Sequence, residues 1–136
     1  MAGVTVVDDY AHHPVEIAAT LAAARGRFPN RRLWAVFQPH TYSRTKLLLD
    51  DFARALDGAD AIVLLDIYPA RETDTLCVSS RQIAGRMARP PLEVRRPADA
   101  AATLAERVED GDVVLTMGAG DVTLVGPALL SILGSR

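Results

Sequence analysis

The sequence predicts an α/β fold: one domain built on a mostly parallel sheet with helices on both faces. Three observations predict it. Short β-rich runs alternate with segments of helical periodicity along the 136 residues. The central runs lack a strict apolar–polar alternation, as expected of strands buried on both sides. The polar, chemically capable residues gather at the carboxyl ends of those runs, where open parallel sheets bind their ligands.

The elements follow in order. Val4-Thr5-Val6-Val7 is a β-branched run that reads as a strand ending at Asp8. Pro14 suits the first position of a helix, which makes His13 its N-cap and places Glu16 in the first turn. Ile17, Leu21, Ala24 and Phe28, at spacings of four, three and four, form one stripe of that helix. Leu33 to Phe37 is the second strand. Leu48, Phe52 and Leu56 stripe the next helix, with Asp50, Asp51 and Arg54 turned away and Ser43 or Thr45 as its cap. Ala61 to Leu65 is the third strand, followed by a polar loop from Pro69 to Val78. Ser79 or Ser80 caps a short helix to Met87. Leu92-Glu93-Val94 is a weaker fourth strand. Ala101, Leu104 and Val108 stripe another helix, Val113 to Thr116 is the fifth strand, and Leu124 to Leu133 carries a closing helix.

Composition removes several function classes. Apolar residues make up 49% of the chain and charged residues 24%, which excludes disorder as the main state. The longest apolar stretches, such as Ala61 to Leu65, fall far short of the roughly 20 residues a bilayer span needs. The first residues carry no basic region before Asp8-Asp9 and do not read as a secretory signal. A net charge of -2 gives no nucleic-acid surface. Fourteen of the basic residues are Arg and only Lys46 is lysine. Guanidinium forks suit carboxylates and phosphates, although most of this bias fits a genomic base composition that also enriches Ala. The one cysteine, Cys77, excludes an internal disulfide, disfavours structural zinc and has no base beside it. A reducing cytoplasm fits.

Four loops hold the chemistry: Asp8 to Pro14, Gln38 to Thr45, Asp66 to Glu72 and Met117 to Thr123. Between them they hold all three histidines and the only Gly-x-Gly. In the first, a strand-to-helix turn points backbone N–H groups at an anion, an acidic residue of the Asp8-Asp9 pair is suited to ribose hydroxyls, and a histidine to phosphate or a metal-bound oxygen. In the second, His40 is suited to an oxyanion or to a proton, and Arg44 to a carboxylate held by two donors. Asp66 ends the third strand and is a weak signal alone. Gly118 and Gly120 permit close backbone approach and form a candidate ligand loop, without the full dinucleotide fingerprint. There is no phosphate loop of the Gly-x-x-x-x-Gly-Lys-[Ser/Thr] type and no Gly-x-Ser-x-Gly elbow. The domain is equipped to complete an active site rather than to run a reaction alone.

DDYAHHP at 8–14, FQPHTYSRT at 37–45, LDIYPARE at 65–72 and TMGAGDVT at 116–123 together resemble the carboxyl-terminal domain of the Mur ligases, specifically their alanine-adding branch. The resemblance runs in family order over nearly the whole chain. It implies a Rossmann-like domain, residues 1–136, of a three-domain cytoplasmic enzyme of peptidoglycan synthesis. The UDP-binding and central ATPase domains would lie outside this chain. The implied reaction activates the carboxylate of UDP-N-acetylmuramate as an acyl phosphate with ATP and Mg2+, then joins L-alanine to it. Most metal ligands are implied in the central domain and none here. By the resemblance, Asp9 and Tyr10 meet the ribose and adenine of ATP, His12 lies near the phosphates, and His13 is adjacent. His40 and Arg44 match the amino-acid and intermediate positions. Many members carry Arg where this chain has Thr41, which leaves Arg44, helped by Arg71, to hold the alanine carboxylate. This domain alone is expected to be inactive.

Two other readings compete. Val6-Val7-Asp8-Asp9 and Val63-Leu64-Leu65-Asp66 also resemble a phosphoacceptor receiver domain, a signalling module with an acidic pair after the first strand and the acceptor after the third. Receivers need a lysine after the fifth strand, where this chain reads Met117-Gly118-Ala119-Gly120. The other alternative is a stand-alone nucleotide-binding domain.

Overall fold

The β-branched and leucine-rich runs form five strands: β1 (Thr5–Asp9), β2 (Leu33–Phe37), β3 (Ala61–Leu64), β4 (Leu92–Glu93) and β5 (Val113–Met117). The computed structural model describes residues 3–72, 78–93 and 96–135. Every described pairing is parallel, in the order β1-β5-β2-β3-β4. β2 and β5 are buried at every residue, which is why their sequences show no alternation. The expected α/β architecture holds.

Helices cover both faces. α1 (Pro14–Arg27), α3 (Leu49–Leu56) and α4 (Ser80–Ala84) bury Ile17, Leu21, Phe52, Leu56 and Ile83 on one side of the sheet, against Phe37 and Leu115. α5 (Pro97–Arg107) and α6 (Val125–Gly134) bury Leu104, Leu129 and Leu133 on the other, against Val36 and Val114. The chain after β5 therefore departs to the opposite face from the chains after β1 and β2, the strands on either side of it. That reversal opens a crevice at the carboxyl ends of β1, β5 and β2.

The far end of the sheet is locked by ion pairs. Asp112, 4% exposed, accepts from Arg32 Nη2 at 2.8 Å, from the Trp34 indole at 2.9 Å and from the Glu109 amide at 3.0 Å. Burial alone would raise its carboxyl, but Arg32, Glu109 and Trp34 outweigh burial and hold it below the usual range. Arg25 and Asp60 pair at 2.7 Å and tie α1 to the start of β3.

Several expectations are corrected. The second helix is two: α2 (Tyr42–Leu47) and α3, broken at Leu48 (φ -119°, ψ 24°). Its cap is Thr41, not Ser43 or Thr45; the Thr45 hydroxyl is buried and donates to the Thr41 carbonyl at 2.7 Å. The short helix stops at Ala84 rather than Met87, and Ser79 makes no side-chain cap. The Ser80 hydroxyl donates to the Leu65 carbonyl instead, anchoring α4 to the end of β3. A 3-10 turn, Asp121–Leu124, precedes α6. Cys77 and Val94 lie outside the described residues. The receiver reading fails on topology. Three inter-strand steps, about 14 Å, separate the end of β1 from the end of β3, and Asp8 is engaged by the Thr116 hydroxyl at 2.6 Å.

Candidate functional site

The β1 loop is built around its helix cap. His13 Nδ1 accepts from the Val15 amide at 3.2 Å, while Glu16 accepts from the amides of His13 at 3.1 Å and His12 at 3.2 Å. This closes a reciprocal cap on α1. Those amides, His12's first, hold the Glu16 carboxyl below its usual range. His13 is therefore committed at Nδ1 to structure and offers only Nε2 outward. His12 donates from Nδ1 to the Tyr10 carbonyl at 2.9 Å, since a carbonyl can only accept, so its Nε2 carries a proton only as imidazolium. Asp9 accepts from the Ala11 amide through Oδ1 at 2.7 Å, leaving Oδ2 free of described partners. Tyr10 is 69% exposed, an aromatic face available to stack.

The β2 and β3 loops extend the sheet. Beyond Phe37 and Leu64 the pairing continues as a bridge between His40 and Tyr68. The Tyr68 amide donates to the Pro39 carbonyl and the Thr41 amide to the Tyr68 carbonyl, each at 2.8 Å. The two rings stack at 5.6 Å and 9°. His12 approaches the His40 ring edgewise at 6.1 Å, and Tyr10 approaches His12 at 5.1 Å. Tyr10, His12, His40 and Tyr68 thus form a continuous row across the crevice. Burial first, then the nearby Arg44 and His12, pushes the His40 imidazole below its usual range. Its Nδ1 is buried and has no hydrogen-bond partner among the described residues.

Arg44 sits in the first turn of α2, half-buried, with no carboxylate partner among the described residues. Arg71 is exposed in the β3 loop, likewise without a described partner. The first-turn amides of α2 are taken by Glu72, which accepts from the Tyr42 amide at 2.6 Å, the Ser43 amide at 3.0 Å and the Ser43 hydroxyl at 2.5 Å. The Ser43 hydroxyl above all holds the Glu72 carboxyl below its usual range.

In the β5 loop, a Cβ on Gly120 would lie 2.5 Å from the Tyr68 ring and 2.7 Å from Gln38 Oε1. A Cβ on Gly118 (φ +145°) would lie 2.9 Å from Val122 Cγ1. Both glycines are required by packing within the domain, whatever else they meet. Gln38, 4% exposed, donates to Asp121 at 2.5 Å and accepts from the Val122 amide at 3.0 Å, tying β2 to the β5 loop. Gln38, Tyr68 and Glu72 were not singled out from sequence. The only signal was the glycine pair, which announces a close approach without saying by what. An apolar groove of about 540 Å³ between β1 and α1 shares only Asp9 with these residues.

The fold and the site define a parallel α/β domain that gathers imidazole, guanidinium and carboxylate groups in the loops at the carboxyl ends of its strands. The chain belongs to the Mur ligase, glutamate ligase domain family, whose match covers residues 1–120. It is 50% identical over 133 residues to the UDP-N-acetylmuramate–L-alanine ligase of Roseiflexus castenholzii, covering 97% of this chain and 28% of that one. It is 51% identical over 131 residues to the ligase of the same name from Caldanaerobacter subterraneus, covering 94% and 28%. The crystal structure of UDP-N-acetylmuramate-alanine ligase from Thermotoga maritima superposes with a TM-score of 0.79 at 27% identity, covering 97% of this chain and 27% of that one. The chain thus spans a little over a quarter of the length of these relatives. Among the described residues no helix is long and apolar enough to cross a membrane.

Proposed function

We propose that this chain is the carboxyl-terminal domain, residues 1–136, of a ligase that joins L-alanine to UDP-N-acetylmuramate with ATP. One observation carries the amino-acid assignment: Arg44 is half-buried, has no carboxylate partner among the described residues and lies close enough to His40 to act on its imidazole. A fork of two N–H donors matches the alanine carboxylate and fixes where the amine lies. His40, whose imidazole burial pushes below its usual range, accepts a proton from the alanine ammonium, which has to lose one before the nitrogen can attack. Arg71 directly precedes Glu72, which bonds the first turn of α2, and assists with the carboxylate from there.

The β1 loop takes the nucleotide. Asp9 Oδ2 accepts from ribose hydroxyls while its Oδ1 stays bonded to Ala11, and Tyr10 stacks on the base. His12, whose Nδ1 is taken up by the Tyr10 carbonyl, turns its Nε2 toward the phosphates. His13 Nε2 and the backbone of Gly118 and Gly120 border the same space. Magnesium, which the ligase reading calls for, would take most of its ligands from the other domains, and no step here passes through it. The acyl phosphate itself would be made by the other domains.

The test is Arg44→Ala in the intact ligase carrying this domain. Losing a charge-assisted pair in a closed site costs about 2–5 kcal/mol. The KM for L-alanine should therefore rise roughly 30-fold or more, with an unchanged thermal melt. Arg44→Lys should recover little, because an ammonium lacks the fork. Normal alanine kinetics in Arg44→Ala would refute the assignment, and a collapsed melt would make Arg44 a structural residue.

A further inference from the structure

α2 accounts for its own conformation only in part, through the buried Thr45 hydroxyl that closes on the Thr41 carbonyl at 2.7 Å. It is six residues long, too short to be stable by its own hydrogen bonds. Its first turn begins at Thr41, a β-branched residue at φ +64°, a strained left-handed position. Its own cap is weak: Thr41 Oγ1 reaches only the Arg44 amide, at 3.4 Å. The stronger hold comes from outside, through the three Glu72 contacts at 2.6, 3.0 and 2.5 Å. Glu72 lies 30 residues away in sequence and on another loop. Bonds from a carboxylate to amides and a hydroxyl are charge-assisted and short. The Thr41 amide is held by the same β3 loop through the Tyr68 carbonyl. Arg44 is the third residue of the turn so fixed.

We propose that Glu72 is a positioning residue for the amino-acid site: its carboxylate latches the first turn of α2 to the β3 loop and so sets where Arg44 presents its guanidinium. The inference rests on the assignment of Arg44 to the alanine carboxylate. Without the latch, Thr41 relaxes from its strained conformation and the turn moves, carrying Arg44 with it. A shift near 1 Å at a positioning group is enough to cost up to about a hundredfold.

Two measurements test it. In this chain, amide hydrogen exchange at Tyr42 and Ser43 should quicken at least tenfold in Glu72→Ala, while α1 and β5 exchange as before. In the intact ligase, Glu72→Ala should raise the KM for L-alanine at least tenfold and leave the KM for ATP within about twofold. Glu72→Gln keeps a carbonyl acceptor for the two amides and should restore most of the loss. On an Arg44→Ala background, Glu72→Ala should add nothing, because the route through Arg44 is already gone. Unchanged exchange in Glu72→Ala would show that no latch exists. Faster exchange with an unchanged alanine KM, or effects of the two substitutions that simply add, would show that the latch does not position Arg44. If Glu72→Ala does not fold, an alanine KM for Glu72→Gln as high as that of Arg44→Ala overturns the idea as well. An Arg44→Ala enzyme with normal alanine kinetics would instead remove the functional assignment on which the latch depends.

Discussion

Gly120→Ala should disturb the site through a single methyl group. Gly120 has a negative φ (-107°), so the argument for a glycine there rests on the contacts its missing side chain would make. The new Cβ would fall 2.5 Å from two atoms of the Tyr68 ring and 2.7 Å from Gln38 Oε1, about 1 Å inside ordinary contact. Tyr68 cannot yield without leaving His40, on which it stacks at 5.6 Å. Overpacking of this kind costs about 1–3 kcal/mol, and the ring pair contributes roughly 0.5–1.5 kcal/mol more. Together they predict a loss of about 2–4 kcal/mol, or a fall in Tm of roughly 6–20 °C for a chain of this length. Urea denaturation of Gly120→Ala, Tyr68→Ala and the double variant measures it. Tyr68→Ala removes the ring that clashes, so the two losses should fall short of additivity by about 1–2 kcal/mol. A Gly120→Ala protein within 0.5 kcal/mol of the parent, or strictly additive losses, would refute the claim that packing against Tyr68 is what requires a glycine there.

Three further outcomes are expected. Asp112→Ala strands the Trp34 and Glu109 N–H groups and the Arg32 guanidinium; since Arg32 is partly exposed, the loss should be about 3 kcal/mol, or roughly 10 °C in a thermal melt. The folded-state pKa of Asp112 is depressed, so its contribution is complete above the unfolded value of about 3.9 and is lost as pH falls below that, through the folded value; an acid-unfolding midpoint that does not rise in Asp112→Asn would contradict this. Asp9→Ala in the intact ligase should raise the KM for ATP more than that for L-alanine, and an unchanged ATP dependence would remove the ribose assignment. The purified chain, given ATP, UDP-N-acetylmuramate and L-alanine, should release no phosphate above background, since it carries no phosphate loop; turnover would show that no further domain is needed.

The strands and their order of appearance were legible because β-branched runs such as Val4 to Val7 and Val113 to Thr116 report burial directly. The α1 cap was legible because Pro14, His13 and Glu16 lie within one turn. Less legible was whatever depended on contacts between distant segments. Leu47-Leu48-Leu49 continues a helical stripe, yet the helix breaks there because α2 is anchored to the β3 loop and α3 to the core through Phe52 and Leu56. Glu72 meets Tyr42 across 30 residues and Gln38 meets Asp121 across 83. Neither pairing leaves a periodic trace. The glycines at 118 and 120 marked a close approach, but in one dimension a neighbouring ring and a ligand look the same.

The same parallel register that builds the core also explains why the chemistry is concentrated. β2 and β3 pair through Phe37 and Leu64, and the ladder runs on into the bridge of His40 with Tyr68. The loops are thus held by sheet hydrogen bonds, so the imidazole row is placed by backbone pairing rather than by side-chain packing alone. What the pairing does not provide is enclosure. Tyr10, Val15, Leu47 and Leu124, large apolar side chains left exposed, flank the loops after β1, β2 and β5. A crevice flanked by such residues, holding His40 and an Arg44 without a carboxylate partner among the described residues, excludes water only when something else covers it. In the proposed ligase that cover is the rest of the polypeptide.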